Sequence, residues 1–582
     1  MAVILGINAS HADSAACLVV DGKLIGAVAE ERLGPRIKHS SAFPEFAIRH
    51  LLSDSGVTLK DISHVAVARD TSMSKYARFS YAIKNLNSSY QAAIEHFLRA
   101  QRDNDLHKKI ALVCEKDITQ AKFKIVNVEH HLAHIASAYY LSPFDSITAG
   151  FSYDGSGDFV SMMAAKCEGK SIEVIDRVHL PYSLGFFYTA LCQFIGFDRF
   201  GEEYKVMGLA PYGHDLYREQ MDRLVNLSTP WFKLNTDYFG MHKGKSSGAK
   251  DQAGDIEMGQ FYTNKMTELF GKPRKRGDPI SQREMDIARS TQVKFEESAI
   301  HCVNNLHKLV ETNQIAMAGG CSLNGVTNAK ILRDTPFKKQ YIQPAASDDG
   351  TCLGAAFYTW HQVLGNEQRF EMKHAFWGPQ YDLDQLVQVV KDSKFLICKC
   401  ESQEELIERA AKLLSSGLVM GWYQGRSEWG PRALGQRSIL ANPIVPSMKE
   451  MINAKIKRRE SFRPFAPSVL REDAHIYFEQ EVDSPFMMHV VKVRSEWRDR
   501  LPAVTHIDGT GRLQTVDPQS NPLFYGLLRK FKQETGIGML LNTSFNENEP
   551  VVDTPDQAYD CFTRTQMDAL CLGLYIFQKI ST

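Results

Sequence analysis

Residues 147–165, with the sequence ITAGFSYDGSGDFVSMMAA, decide the fold of this 582-residue chain. Two apolar runs that are typical of β-strands flank a polar turn at 153–158. Residues 3–30 show the same order, because strand candidates at 3–8 and 15–20 are followed by the hairpin turn Asp21-Gly22 and a third run at 24–30. Helical material separates the two copies. This repetition predicts a duplicated domain, and the alternative is two unrelated hairpins.

A duplication of this kind is typical of the actin and sugar-kinase fold, in which two such turns face each other across a nucleotide cleft. A strand candidate at 315–318 ends in Gly319 and Gly320 and leads into a helix candidate. Glycine allows a phosphate to approach the backbone closely, and the first amides of a helix bind anions. Glycine turns also simply connect elements, but together with the two hairpins this turn favours a nucleotide cleft.

Composition and length exclude several classes of protein. The chain has 68 Lys and Arg against 68 Asp and Glu, which argues against a dedicated nucleic-acid binder. No apolar run reaches the roughly 18 to 20 residues that span a bilayer, and the start lacks a basic signal-peptide region. The 11 cysteines form no CxxC pair, so neither a disulfide framework nor a zinc-thiolate site is indicated. We expect a cytoplasmic protein of two or more domains.

Two histidines on one predicted helix mark a candidate metal site. His130 and His134 lie four residues apart in a helix predicted at 129–140, so both rings project from one face. Asp348, in the loop 347–350, is a candidate third ligand. Two histidines and one carboxylate leave coordination positions open, and they suit iron or manganese at least as well as zinc. Surface or capping histidines are the alternative interpretation.

Residues 425–468 concentrate positive charge in a chain of zero net charge. Glycines and prolines interrupt the stretch, which favours a loop-built pocket for a compact anion over a basic helix face or a nucleic-acid patch. Three glutamates, at 428, 450 and 460, oppose nine cations. These cations are Arg426, Arg432, Arg437, Lys449, Lys455, Lys457, Arg458, Arg459 and Arg463.

The C-terminal part of the chain has its own pattern. Helix and strand candidates alternate from 381 onwards, with helices at 384–391 and 403–415 and strands at 395–400 and 419–423. The polar segment 365–376 is a candidate linker. The sequence therefore predicts two α/β domains, 1–368 and 369–582.

Six motifs that span nearly the whole chain resemble the O-carbamoyltransferase family, which includes nodulation-factor, cephalosporin and tobramycin carbamoyltransferases. Two later segments, FRPFAPS at 462–468 and LNTSFN at 541–546, extend the match. The six motifs, in chain order, are NASH at 8–11, EER at 30–32, HHLAH at 130–134, SYDGSG at 152–157, GEEYKVMGLAP at 201–211 and GPRALGQRSIL at 430–440.

The resemblance implies a duplicated actin-like, sugar-kinase-like N-terminal domain that binds ATP and a metal, and a C-terminal YrdC-like α/β domain that binds carbamoyl phosphate. The implied reaction forms carbamoyl-adenylate from carbamoyl phosphate and ATP and transfers the carbamoyl group to an alcohol. ATP would bring Mg²⁺, and a divalent metal at His130, His134 and Asp348 would be Fe²⁺, with Mn²⁺ or Zn²⁺ as alternatives.

The resemblance also implies roles for single residues. His11 would be the acceptor-side base, because a histidine can take the alcohol proton near neutral pH, and Asp70 would bind the acceptor. Asp154 would contact both the metal and ATP. The other implied ATP contacts are Lys38, Gly155, Ser156, Gly157, Asp158, Lys205, Gly319, Gly320 and Asn324. The implied carbamoyl-phosphate contacts are Arg432, Lys457, Arg463, Arg512, Asn542 and Ser544.

Other functions remain open at this point. An actin-fold small-molecule kinase would use ATP without the arginine pocket, and a tRNA-modifying enzyme or a nucleotide-binding regulator would share part of the pattern. The sequence does not name the acceptor alcohol, which we expect to be a small natural product or a sugar. Residues 218–294 match little in the family and are expected to form an insertion near the acceptor. The partners are therefore small molecules, with no membrane or nucleic acid, and a homodimer is compatible with the sequence.

Overall fold

The computed structural model describes residues 1–9, 12–84, 105–228, 230–240, 258–382 and 395–579. The chain divides into two compact units, Met1–Met372 and Lys373–Thr582. Both units contain sheets with helices packed on them, so the predicted α/β class is confirmed. The helix predicted at 384–391 lies outside the described residues. In the described ranges, no helix is both long enough and apolar enough to cross a membrane.

Two five-stranded sheets of the same topology form the first unit. The first sheet contains β1 (Val3–Asn8), β2 (Ala15–Val20), β3 (Lys23–Ala29), β4 (His64–Val67) and β5 (Lys124–Asn127). The second contains β6 (Thr148–Gly157), β7 (Val160–Glu168), β8 (Ser171–His179), β11 (Gln314–Ala318) and β12 (Lys339–Ile342), and a separate short ribbon is formed by β9 (Val225–Asn226) and β10 (Lys233–Leu234).

The strand orders are β3-β2-β1-β4-β5 and β8-β7-β6-β11-β12. In each sheet the first three strands along the chain pair antiparallel with one another. The other two strands extend the sheet on the far side of the first strand, and each pairs in parallel with its neighbour on that side. The matching orders confirm the duplication predicted from the two hairpins.

The same kind of tight turn closes a hairpin in each copy. Asp21 and Gly22 have φ values of 45° and 75°, and Asp158 and Phe159 have 51° and 73°. Two successive positive φ angles characterise the type I′ turn, whose twist matches that of the flanking strands. The predicted turn at Asp21-Gly22 is therefore confirmed, and its counterpart in the second sheet begins at Asp158.

Two helices link the sheets of the first unit. Helix α5 packs on β6 and β11, helix α12 packs on β1 and β2, and the two helices pack on each other. They approach closely at Gly354, where a Cβ would lie 1.7 Å from the carbonyl oxygen of Ala133. The helices of this unit are α1 (Glu30–Leu33), α2 (Glu45–Ser55), α3 (Lys75–Lys84), α4 (Leu106–Val113), α5 (His130–Tyr139), α6 (Leu184–Phe194), α7 (Tyr204–Leu209), α8 (Arg218–Leu224), α9 (Met266–Phe270), α10 (Gln282–Val310), α11 (Gly325–Asp334) and α12 (Thr351–Tyr358).

The segment expected to be an insertion is partly helical. Helices α8 and α9 and the first part of the 29-residue α10 lie within 218–294, and a capping box formed by Ser281 and Glu284 begins α10. Residues 241–257 of this segment lie outside the described residues.

The second unit is built on one nine-stranded mixed sheet. Its strand order is β13-β21-β20-β14-β15-β19-β16-β18-β17. The strands are β13 (Leu396–Lys399), β14 (Met420–Tyr423), β15 (Arg437–Ala441), β16 (Ala466–Leu470), β17 (His489–Lys492), β18 (Thr510–Val516), β19 (Met539–Ser544), β20 (Ala569–Leu572) and β21 (Tyr575–Gln578). The helices are α13 (Gln403–Ser415), α14 (Met448–Ile452), α15 (Ala474–Tyr477), α16 (Ser495–Arg498), α17 (Pro522–Thr535) and α18 (Pro555–Arg564).

Helices α13 and α17 pack on each other and cover one face of this sheet. Their apolar residues, among them Leu414 and Phe531, share a core with Leu470, Val516 and Leu540 of the strands. Burial of this apolar face explains why the helices lie there.

Candidate active site

Four predicted metal ligands converge in the first unit. His134 Nε2 lies 3.1 Å from His130 Nε2, 3.2 Å from Asp154 Oδ2 and 3.6 Å from Asp348 Oδ1. His130 Nε2 lies 3.4 Å from Asp348 Oδ1. One atom from each residue lies within 4.8 Å of all the others. The structure therefore places together residues from a helix, a strand end and a loop that are separated by up to 218 positions.

Local structure explains this convergence. His130 and His134 are one helical turn apart on α5 and are fully buried, with relative exposures of 0%. Asp154 lies in β6, and Asp348 begins a short 3₁₀ turn after β12. Gly157 is required beside them, since a Cβ there would lie 2.1 Å from the ring of His130.

Asp158 fixes the start of the ligand-bearing helix. Its Oδ2 accepts hydrogen bonds from the backbone N–H groups of His130, at 3.0 Å, and of Asp70, at 2.8 Å. A carboxylate that accepts an N–H bond at the beginning of a helix stabilises it. The predicted contact of Asp158 with ATP stays a prediction. In the structure this side chain also links the start of α5 to the backbone that follows β4.

Electrostatics at the cluster favour a cation. Burial lowers the pKa of His130, but the charges of Asp348 and Asp154 outweigh it and raise the pKa to about 9. The negative charge that favours a proton would equally favour a divalent metal ion. His134 Nδ1 is buried and has no hydrogen-bond partner among the described residues.

Two imidazoles and two carboxylates fit a first-row divalent metal, and Fe²⁺, Mn²⁺ and Zn²⁺ all accept this donor set.

The neighbouring His131 makes its hydrogen bonds to other residues of the fold. Its ring is bonded to Ser152 Oγ at 2.8 Å and to the Val160 carbonyl at 3.0 Å, and burial lowers its pKa well below the usual value.

A second polar cluster, formed by Asp13, Glu31 and His39, adjoins the loop that carries Asp348. Asp13 Oδ1 lies 2.6 Å from His39 Nδ1, and Ser347 Oγ donates to Asp13 Oδ2 at 2.7 Å. Glu31 accepts the backbone N–H of His39 at 2.9 Å. Burial lowers the pKa of His39, but Asp13 raises it to about 9, so this ring carries a positive charge at neutral pH.

The predicted acceptor residues are only partly described. His11 lies outside the described residues. Asp70 follows β4, and its Oδ1 accepts the backbone N–H of Ser72 at 2.9 Å. Its backbone bond to Asp158 places it near the N-terminus of α5, and thus on the side of the unit that holds the metal cluster.

The structure brings some of the predicted nucleotide contacts together around Asp154. Asp154 Oδ1 accepts the N–H of Gly155 at 2.6 Å, and a Cβ at Gly320 would lie 2.9 Å from that same oxygen. Gly319 has a φ of 96°, and a Cβ there would lie 2.2 Å from the Tyr153 carbonyl. The glycine turns thus close around Asp154, and Ser156 lies in the same strand end.

The other three predicted nucleotide contacts differ in their surroundings. Asn324 caps α11 through Thr327 N and is held by Gln292 at 3.0 and 3.1 Å. The Lys205 ammonium is buried and bonded to Glu202 at 2.8 Å. Lys38 is exposed. Of the two predicted lysines, the exposed one is better placed to meet a ligand from solvent.

In the second unit, three predicted site residues, Arg512, Asn542 and Ser544, lie on the helix-covered face of the sheet, where that face becomes polar. Gln514 Oε1 accepts hydrogen bonds from Ser468 Oγ at 2.5 Å and Asn542 Nδ2 at 3.1 Å, so these three side chains share a face. Alternate residues of a strand point to the same side, which places Arg512 and Ser544 on that face too. At positions two residues away along the same strands, Leu470, Val516 and Leu540 belong to the core.

Lys457 and Ser544 belong to one bonded group. The Lys457 ammonium is 1% exposed and donates to Asn546 Oδ1 at 2.7 Å, to the Asn546 carbonyl at 2.8 Å and to the Ser544 carbonyl at 2.5 Å. Ser544 Oγ donates to Asn546 Oδ1 at 2.8 Å. The structure therefore brings these two predicted residues together and adds Asn546.

The predicted arginines also come together. Burial lowers the pKa of Arg512 well below the usual value, and the charges of Arg432, Arg459 and Arg463 lower it further. Burial likewise lowers the pKa of Arg432 to about 10. A concentration of guanidinium groups whose charges repel one another is suited to an anion. We call Arg432, Arg459, Arg463 and Arg512 the arginine site.

Arg437, in the same basic stretch, has a structural position. It is fully buried, its guanidinium lies 3.7 Å from the ring centroid of Tyr423, and it donates to the carbonyls of Gln424, Gly425 and Asp553 at 2.5, 3.1 and 3.3 Å. Because its donors bond backbone carbonyls, Arg437 is not placed for an anion. The charge pattern of residues 425–468 therefore predicts more cations at the anion site than the structure supports.

Sequence reasoning missed the polar partners of both sites. Asp13, Ser347 and His39 come from three separate segments, and Gln514 and Ser468 look like ordinary strand residues. A carboxylate beside a histidine is visible in sequence only when the two are close along the chain, and Asp13 and His39 are 26 residues apart. The Glu30-Glu31-Arg32 motif was a signal for the group around Asp13 and His39, whereas no motif indicated Gln514 and Ser468.

Two family models match the chain. The model described as Carbamoyltransferase N-terminus matches residues 3–357, and the model described as Carbamoyltransferase C-terminus matches residues 411–579. Together they cover most of the sequence and fall on either side of the division between the two units.

Individual relatives agree with this match. An uncharacterized protein of Synechocystis is 38% identical over 100% of this chain and 97% of its own length. Nodulation protein NolNO of Sinorhizobium fredii is 35% identical over 97% of this chain and 79% of its own length. The 3'-hydroxymethylcephem-O-carbamoyltransferase of Streptomyces clavuligerus is 34% identical over 41% of this chain and 44% of its own length.

Proposed function

Because this chain belongs to the carbamoyltransferase family and is an enzyme that transfers carbamoyl groups, we propose that it is an ATP-dependent O-carbamoyltransferase. In this proposal the arginine site binds carbamoyl phosphate, and the first unit carries the transfer to a hydroxyl of a small natural product or a sugar. The observation that carries the proposal is the arginine site itself, since a kinase of this fold would not need it.

The atoms of the proposed reaction balance with water. Carbamoyl phosphate and water give carbamate and phosphate, and a carbamate oxygen then attacks the α-phosphorus of ATP, which releases pyrophosphate and leaves carbamoyl-adenylate. The acceptor oxygen attacks the carbamoyl carbon, AMP leaves, and the alcohol proton passes to a base. The attack of carbamate on ATP brings two anions together, and fixed cations lower the cost of that approach.

The residues of the second unit suit the first of these substrates. Arg432, Arg463 and Arg512 offer planar pairs of donors to phosphate oxygens. Asn542 Oδ1 is buried and has no partner among the described residues, so it can accept a hydrogen bond from the amide of a carbamoyl group. Lys457 adds charge from the group that contains Ser544.

The residues of the first unit suit the transfer step. His130, His134, Asp154 and Asp348 would hold a divalent metal, for which Fe²⁺ is our expectation, and a bound metal would act there as a Lewis acid that neutralises phosphate charge. His39 would add positive charge beside Lys38. His11 remains our proposed base and Asp70 our proposed acceptor contact.

The deciding experiment follows pyrophosphate and AMP release by the full-length enzyme. We expect release from ATP to depend on carbamoyl phosphate and to be abolished in Arg463→Ala, while the exposed neighbour Arg458→Ala, whose side chain pairs with Glu547 at 3.2 Å, keeps wild-type rates. ADP instead of AMP would indicate the kinase, and binding of ATP without turnover would indicate a regulator. A screen of alcohols by mass, for the gain of one carbamoyl group, then identifies the acceptor class.

A further inference from the structure

Two cysteine thiols lie in contact in the second unit, at the outermost described strand of the nine-stranded sheet. Cys398 belongs to this strand, β13, and Cys400 directly follows it, so both side chains point to the same face. The Cys398 thiol is within hydrogen-bonding contact of the Cys400 sulfur. Cys400 is fully buried in the core that α13 shares with the sheet, and Cys398 packs on that core from a partly exposed position. One thiol is therefore accessible from solvent, and the other lies beside it in the core.

A second pair of thiols, in the first unit, is fully protected. Cys17 on β2 and Cys352 on α12 are also in contact, and both are fully buried. Burial, and then the contact with Cys17, raises the pKa of the Cys352 thiol well above its usual value. Buried cysteines of this kind are inert, because the thiolate is the form that reacts. The two thiol pairs thus differ in their access to solvent.

A cation acts on the partly exposed pair. Burial raises the pKa of Cys400 to about 11, Cys398 and Glu405 add to this rise, and Arg409 opposes it. The Arg409 guanidinium donates to Glu405 at 2.8 Å, and its own pKa is raised by that bond and by Cys398. A guanidinium near a thiol favours the thiolate, which is the form that oxidants attack. Access and charge together mark Cys398 as the thiol that reacts first.

We propose that Cys398 and Cys400 form a modification site, a dithiol that hydrogen peroxide oxidises reversibly to a disulfide. The Cys398 thiolate attacks one oxygen of the peroxide, which gives a sulfenic acid and a hydroxide ion, and the proton that the thiol released neutralises this hydroxide. The Cys400 thiol then attacks the sulfenic sulfur, closes the sulfur–sulfur bond and releases water. Two electrons pass from the thiols to the peroxide, and two water molecules form. The inference does not depend on the function proposed for the arginine site.

The geometry of the strand makes this disulfide easy to reduce. Residues two apart in a strand have Cα atoms about 6.4 to 6.8 Å apart, and the Cα atoms that a disulfide joins are usually about 4.4 to 6.8 Å apart. The bond closes at the long end of this range, and strained disulfides are the labile ones. The Cys400 N–H donates to the Leu574 carbonyl at 2.9 Å, which anchors this end of the strand. We therefore expect dithiothreitol or glutathione to restore the dithiol.

The sequence provides a direct assay, because Lys399 stands between the two cysteines. Trypsin cleaves after Lys399 and Arg409, so the peptides 395–399 and 400–409 stay joined only if a disulfide links Cys398 to Cys400. The reduced full-length protein is treated with a small molar excess of hydrogen peroxide, alkylated and digested, and the joined peptides are followed over time by mass spectrometry. We expect joined peptides that dithiothreitol separates, formed about 10-fold or more faster than any oxidation of Cys17 or Cys352.

Single variants test the two roles. In Cys400→Ser the Cys398 sulfenic acid should persist and be trapped by dimedone, whereas Cys398→Ser should leave Cys400 reduced. Arg409→Gln should slow the oxidation about 2- to 5-fold, as expected for the loss of an exposed charge. Joined peptides that form only after unfolding in urea would overturn the inference. Equal oxidation rates for the two thiol pairs, or over-oxidised Cys398 without joined peptides, would overturn it as well.

Discussion

Replacing Arg437 separates structural from ligand-binding arginines. Motif and charge place Arg437 and Arg463 in one basic stretch, but Arg437 is fully buried and donates to backbone carbonyls. Arg437→Met removes those donors while keeping an apolar stem of similar length. We therefore expect a loss of stability from Arg437→Met and a loss of carbamoyl-phosphate binding from Arg463→Met.

The magnitude follows from the contacts of Arg437. Five hydrogen bonds to backbone carbonyls would be lost, three at 2.5, 3.1 and 3.3 Å and two further ones at 3.3 and 3.5 Å. Each well-formed bond from a charged donor is worth about 1.5 to 3 kcal/mol. The cation–π contact with Tyr423, at 3.7 Å, adds about 0.5 to 2 kcal/mol. Methionine carries no charge that must be desolvated, which offsets part of this sum. The expected net loss in the free energy of unfolding is about 3 to 5 kcal/mol.

The assay is thermal and urea unfolding of the second unit within the full-length protein. A unit of this size loses about 2 to 4 °C of melting temperature per kcal/mol, so we expect a shift of about 6 to 20 °C. Arg458→Met is the control, because an exposed ion pair contributes no more than about 1 kcal/mol. A wild-type melting temperature combined with lost phosphate binding in Arg437→Met would refute the reasoning and make Arg437 a ligand.

Three further predictions concern the first unit. His134→Ala should reduce the metal content of the purified protein from about one equivalent to a small fraction, measured by elemental analysis, because two or more strong ligands are needed beside the carboxylates. Gly157→Ala should have the same effect without touching a ligand, since its Cβ would displace the His130 ring, and retention of full metal content would contradict the geometry. The pKa of His39 is raised from 6.5 to about 9, so the Asp13 pair stabilises the folded state fully below pH 6.5 and loses this contribution as the pH rises to about 9. Asp13→Asn should therefore cost about 1 to 2 kcal/mol at pH 6, after allowance for partial exposure, and little at pH 10, as measured by urea unfolding at both pH values.

Much of the fold could be predicted because the decisive patterns are local. The strand Val3–Asn8 was predicted with its observed bounds, and the Asp21-Gly22 turn has the positive φ angles that its composition favours. The predicted helix 129–140 differs from α5 by one residue at each end. Duplication of the sheet could be inferred because a hairpin pattern recurs along the chain.

The candidate sites were only partly predictable. His130 and His134 share a helical face by spacing alone, but their approach to Asp154 and Asp348 depends on strand order and on the packing of α5. Two sets of contacts join residues that are far apart along the chain: Asp13 with His39 and Ser347, and Gln514 with Ser468 and Asn542. No periodic pattern in the sequence indicates such contacts. The roles of His11, Lys38 and the predicted substrate contacts stay predictions.

The sequence by itself determined the fold class, the duplicated hairpins, the family and the residue types of an anion site, because these follow from short-range pattern and motif order. Only the tertiary structure decided which cations of residues 425–468 lie near one another and which are engaged by the backbone. Arg437 and Arg459 look alike in sequence, since both are arginines among glycines, prolines and other cations. Burial against Tyr423 and five backbone carbonyls makes the first structural, whereas the second bonds Asn453 and stacks on Phe465 near other arginines.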